Sequence, residues 1–105
     1  MEKSFSLDMA VFGHMGDGNM HPVLLFDRRD EAQRTKAHAV REALIETVLS
    51  LNGTLSGEYG TGGLKARWLE KELSPETIAF YKRIKRAMDP ENLFNPGKII
   101  PEQAE

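Results

Sequence analysis

Residues 9–26 read Met9-Ala10-Val11-Phe12-Gly13-His14-Met15-Gly16-Asp17-Gly18-Asn19-Met20-His21-Pro22-Val23-Leu24-Leu25-Phe26. Two short apolar runs, Met9 to Phe12 and Val23 to Phe26, flank a glycine-rich segment containing Asp17-Gly18, a favoured two-residue type I′ turn. The stretch from Leu7 to Phe26 therefore predicts a β-hairpin. Around a turn at 17–18, cross-strand partners have numbers that sum to 35, so His14 is expected to face His21. Directly opposed side chains have Cβ atoms about 5 Å apart. Two imidazoles at that separation can share one metal ion. Equally, they can be ordinary sheet side chains satisfied by hydrogen bonds. The shared site is expected to fail if the turn is longer or shifted by one residue, since a one-residue slip puts the rings on opposite faces.

Beyond the hairpin, Ala37, Val40, Leu44, Val48 and Leu51 recur at steps of three and four, which predicts an amphipathic helix from Asp30 to Leu51 with Asn52-Gly53 as its stop. Thr54-Leu55 is expected as a short strand, and Leu64 to Leu73 as a short helix. Ser74 as N-cap and Pro75 in the first turn start another helix, which carries Ile78, Tyr81, Ile84 and Met88 on one face. Asp89 precedes Pro90 and is pushed out of the helical region, so the helix ends near Met88. The order ββα-loop-αα predicts an α+β domain with a small antiparallel sheet. Two strands alone are marginal, so either the sheet gains strands from elsewhere or the chain is part of something larger.

The chain has 105 residues, with 14 Lys+Arg against 16 Asp+Glu for a net charge of −2, and no Cys. This length predicts one domain with one core. The charge gives no general attraction to nucleic acid or anionic membrane. The lack of cysteine excludes disulfides, thiolate nucleophiles and Cys-type metal sites. No run approaches the roughly 18 apolar residues that a membrane span needs. Met1-Glu2-Lys3-Ser4 leads into no apolar signal core, so a cytoplasmic setting is expected.

A second glycine cluster, Ser56-Gly57-Glu58-Tyr59-Gly60-Thr61-Gly62-Gly63, puts a carboxylate and a phenol in a backbone able to approach a ligand closely. Its amides, with Lys65 and Arg67, could hold an anion. A connector loop with Glu58 solvated is the other reading. It is not a Walker A loop, because Ala66 follows Lys65. Taken together, His14, His21 and Glu58 form a two-histidine, one-carboxylate donor set suited to a divalent metal with an open position. His38 has no partner at ligand spacing and is expected on the helix surface or core edge. Trp68 and Tyr81 are expected in the core.

Three segments carry a resemblance. Gly13 to Pro22 resembles the GHxGDGNxHP signature of the C-terminal domain of FAD-linked oxidases. Ser56-Gly57-Glu58-Tyr59-Gly60 with Lys65 resembles that family's SGEHGIG…K segment, and Lys85 to Ile99 resembles its closing K-x-x-x-D-P-x-x-x-x-N-P-G-K-I. The family includes the glycolate oxidase flavoprotein subunit, D-lactate dehydrogenases and D-2-hydroxyglutarate dehydrogenase.

The resemblance implies that residues 1–105 are the C-terminal part of a substrate- and metal-binding domain, ferredoxin-like and partial, with the flavin-binding domain absent. It implies FAD in the intact enzyme, not bound by this chain alone, and a divalent metal, zinc in many members, on His14, His21 and Glu58. It places Asn19, Lys65, Asn95 and Lys98 near substrate or flavin. Tyr59 stands where the family has its candidate general-base histidine. A phenol with pKa near 10 is a poor base unless a neighbouring metal lowers it, and the other role open to Tyr59 is to orient substrate. The implied activity is oxidation of a 2-hydroxy acid such as glycolate or D-lactate, with hydride passing to flavin, the isolated chain being inactive. Implied partners are the flavin domain, an iron–sulfur electron-transfer subunit that could hold the enzyme at a membrane, and further copies meeting through exposed surface. A stand-alone metal-binding or protein-interaction module is the alternative.

Overall fold

A computed structural model describes residues 6–100. They divide into two compact units, one ending at Ser50 and one beginning at Leu51, each described by itself.

The first unit holds strands β1 (Asp8–His14) and β2 (Asn19–Leu25) and helix α1 (Glu31–Ser50). The strands pair antiparallel, as the apolar runs predict, but the turn differs from the expected one. Met15–Asp17 form a single 3₁₀ turn and Gly18, at φ 72°, closes it with its N–H on the carbonyl of Met15. The loop is therefore longer than two residues, and the register is His14↔Asn19 and Phe12↔His21. Partners sum to 33 rather than 35. The slip is even, so His14 and His21 remain on one face as diagonal neighbours.

Gly13 enables this register. It has φ 144°, and a Cβ built there would lie 2.3 Å from the carbonyl oxygen of Asn19. Both faces of the ribbon bear exposed apolar side chains, Phe12, Val23 and Leu25 on one and Met9, Val11 and Met20 on the other.

Helix α1 starts where Asp30 accepts hydrogen bonds from the N–H groups of Ala32 (2.9 Å) and Gln33 (3.1 Å), an acidic N-cap. Those amides hold the Asp30 carboxyl below the usual range. The helix buries Ala37, Val40 and Ile45, while the Leu51 expected on that face is exposed. Asn52, at φ 59°, terminates it with left-handed backbone.

The second unit has no strand at Thr54-Leu55. Glu72 takes the Leu55 N–H (3.1 Å) and the Thr54 hydroxyl, and the Lys65 ammonium donates to the Leu55 carbonyl. Side chains thus satisfy the backbone groups a strand partner would have used, and Leu55 itself is buried. The helix expected over 64–73 is split into a 3₁₀ turn, Ala66–Trp68, and a short α2, Leu69–Glu72. Trp68 and Leu69 are buried there, with the Arg67 guanidinium 3.9 Å above the Trp68 ring.

Helix α3 (Pro75–Met88) begins as predicted, with the Ser74 hydroxyl accepting from the Thr77 N–H. Of its predicted apolar face only Ile78 is buried. Tyr81, Ile84 and Met88 instead line a cavity of about 820 Å³, which Phe94 and Lys98 also border. No helix among the described residues is long and apolar enough to cross a membrane.

Candidate metal centre

The hairpin brings His14 and His21 together. Their rings stand edge to face, centroids 5.6 Å apart and planes at 88°, and one ring nitrogen of each lies within 4.8 Å of the other's. Phe12, directly across the ladder from His21, sets its ring 6.1 Å away and extends the aromatic row. His21 is half-buried and His14 is exposed. Two imidazole nitrogens bound to one zinc each stand about 2.0–2.1 Å from it. Paired rings on a hydrogen-bonded ribbon, with nitrogens already this near, fit a shared divalent ion. Asn19 sits opposite His14 at the start of β2 and is half-buried.

Glu58 and Tyr59 occupy the two central positions of a turn that the Gly60 N–H closes on the Gly57 carbonyl at 3.1 Å. Both side chains are exposed, Tyr59 by 85%. Gly60, at φ 68°, and Gly62, at φ 57°, carry the chain on through left-handed conformations. The turn presents a carboxylate, an oxygen donor suited to hard and borderline cations.

Lys65 does not point free of this loop. Its bond to the Leu55 carbonyl makes it a brace beneath the loop. Asn95 and Lys98 border the cavity of the second unit, and the Lys98 side chain packs against Gly63. His38 is exposed on α1, as expected of a surface residue.

In the closing segment, where the sequence predicts a helix stop at Asp89-Pro90 and resembles the family's closing motif over Lys85 to Ile99, the structure adds a side-chain clamp. Asp89 is buried, and its carboxylate accepts the N–H groups of Leu93 and Phe94, each at 2.9 Å, and the Lys85 ammonium. Lys85 also donates to the Phe94 carbonyl at 2.6 Å. A lysine four residues before an aspartate that precedes proline is the signal that could have revealed the pair.

The Lys85 ammonium holds the Asp89 carboxyl below the usual carboxylate range, opposed by desolvation and aided by the amides of Phe94 and Leu93. A carboxyl lowered on folding stabilises the protein above its unfolded pKa, near 4, and that contribution is lost as pH falls through the lowered folded value. The urea midpoint is therefore expected to fall more steeply below about pH 4 for the native chain than for Asp89→Asn. Parallel curves for the two would show that Asp89 adds nothing to acid sensitivity.

Residues 1–99 match the family described as FAD linked oxidases, C-terminal domain. The chain is 44% identical over 96 residues to the mitochondrial D-lactate dehydrogenase [cytochrome] of Arabidopsis thaliana, covering 91% of this chain and 17% of that protein. It is 37% identical over 100 residues to glycolate oxidase subunit GlcD of Bacillus subtilis (strain 168), covering 95% and 21%. It is 41% identical over 95 residues to the D-2-hydroxyglutarate dehydrogenase of Stutzerimonas stutzeri (strain A1501), covering 89% and 20%. The chain thus spans about a fifth of the length of these relatives.

Proposed function

This chain belongs to the family of FAD linked oxidases, C-terminal domain, and from that premise we propose that it is the substrate- and metal-binding part of an oxidoreductase acting on a 2-hydroxy acid. The observation that carries the metal reading is the pairing of His14 and His21 on one face of the hairpin. Glu58 is the third ligand, by the match of its turn to the family's second motif and by the chemistry of its carboxylate. Two imidazoles and a carboxylate suit zinc, with a position left open for substrate.

A bound divalent ion would supply Lewis acidity toward a substrate oxygen, and bound flavin would supply the hydride acceptor. The chain's own residues supply orientation and charge. Ladder pairing fixes the backbone of His14 and His21 so that both imidazoles start from one face of the ribbon. Tyr59 carries a phenol hydroxyl that can donate a hydrogen bond to a substrate oxygen and so orient it. Lys98 and Asn95 offer a cation and an amide to a substrate or flavin group. Lys65 serves the site by holding the loop. The complementary partners are a flavin-binding domain and an electron-transfer subunit, and the exposed apolar side chains of the hairpin are the surface for such contacts.

The test is a domain exchange. Replacing the matching 100 residues of the B. subtilis glycolate oxidase subunit by this chain is expected to give a flavin-containing protein that reduces an artificial acceptor with glycolate or D-lactate. The isolated chain is expected to be colourless and inert toward both acids. A folded, flavin-loaded chimera with no activity on any 2-hydroxy acid would contradict the proposal.

A further inference from the structure

The path from α3 to Ile99 is sharply folded. Asn92, Asn95, Gly97 and Ile99 all have positive φ, at 53°, 46°, 69° and 65°. For a β-branched residue such as Ile99 this is an outlying conformation, which persists only where the surroundings over-determine it. Two anchors do so. At one end, the buried Asp89 carboxylate gathers the N–H groups of Leu93 and Phe94 and the Lys85 ammonium, while Lys85 also caps the Phe94 carbonyl. At the other end, the Ile99 N–H donates to the Gly62 carbonyl at 2.8 Å, and the Lys98 side chain lies against Gly63. Between them, Lys98 N–H closes a turn on the Asn95 carbonyl. Gly62 is two residues beyond Gly60, whose N–H closes the turn bearing Glu58 and Tyr59.

We propose that Asp89 is a positioning residue for the Glu58-Tyr59 turn, acting through the closing segment that it folds back onto Gly62. An ionised carboxylate only accepts, and so can serve two amides and an ammonium at once. An asparagine there turns an NH₂ donor toward other donors and frees part of the 93–94 turn. The segment then pulls less firmly on Gly62, and the turn at 57–60 loses its support from behind. The effect on metal binding rests on Glu58 being a ligand. The effect on the loop does not.

Site-resolved amide exchange by NMR on the full chain, with zinc titration alongside, tests this. In Asp89→Asn, exchange at Ile99 and Gly60 is expected to accelerate about tenfold, together with Leu93 and Phe94, while the Val40 and Ile45 amides of α1 keep their protection. Zinc affinity is expected to fall about tenfold, as for loss of an outer partner of a metal ligand. Lys85→Met is expected to move the same amides in the same order by less. Faster exchange at Leu93 and Phe94 with Ile99 and Gly60 unchanged would overturn the proposal, as would uniform acceleration throughout both variants. If the native chain binds no zinc, the metal reading fails while the exchange pattern still decides the role of Asp89.

Discussion

Gly13→Ala is expected to open the hairpin. The added Cβ would fall 2.3 Å from the Asn19 carbonyl oxygen and 3.2 Å from both the His21 nitrogen and the Met20 Cα. All of these are backbone atoms of the partner strand, so no side-chain rotation relieves the contact. The residue must also keep φ 144°, which L-residues with a Cβ avoid. A clash with a strained conformation belongs among the severe mechanisms of point mutation, and a loss of about 3 kcal/mol or more is expected. A two-stranded ribbon has little stability of its own to absorb this. Urea denaturation, with cross-strand NMR contacts between Phe12 and His21, measures it. An unchanged midpoint with those contacts intact would mean that Gly13 is not what sets the register.

His21→Ala is expected to weaken zinc binding more than about 100-fold, beyond the usual cost of losing an outer-shell partner. The second readout is stability. An ion that binds only the folded chain adds about 2.7 kcal/mol at a hundredfold excess over its dissociation constant, so zinc should raise the melting temperature of the native chain. It should not raise that of His21→Ala or His14→Ala. His38→Ala, on the exposed surface of α1, should behave as the native chain. Equal thermal shifts in all four proteins would place the ion elsewhere.

Much of the fold is legible in local chemistry. The apolar runs flanking the glycines mark the strands, and Asp30, Ser74 and the Asp89-Pro90 pair mark helix ends by hydrogen-bonding and steric rules that act over a few residues. The failures lie where a competing turn or a distant group decides. Asp17-Gly18 is a sound type I′ signal, yet the chain uses a 3₁₀ turn from Met15 and gives Gly18 the left-handed closing position. Thr54-Leu55 reads as a strand, but Glu72 and Lys65 satisfy its backbone instead. The first outcome turns on Gly13 and Gly18 inside the hairpin, the second on side chains 10 to 18 residues away.

The histidine pair survives the wrong register because parity, not turn length, keeps two side chains on one face. A shift from 35 to 33 preserves parity while exchanging a direct pairing for a diagonal one, and the imidazoles are long enough to meet across it. Lys65 illustrates the opposite case. Charge and loop position suggest a ligand contact, whereas its ammonium is used to hold Leu55. The Asp89 clamp escaped sequence reading for the same reason, since its partners at 93 and 94 are backbone amides that no side-chain pattern advertises.

His14, His21 and Glu58 are expected to hold a single divalent ion. X-ray absorption at the zinc edge of the zinc-loaded chain tests it most directly. Multiple scattering from two imidazoles at about 2.0–2.1 Å, with carboxylate oxygen completing the shell, is the predicted spectrum. A shell of oxygen alone, without imidazole scattering, would contradict it.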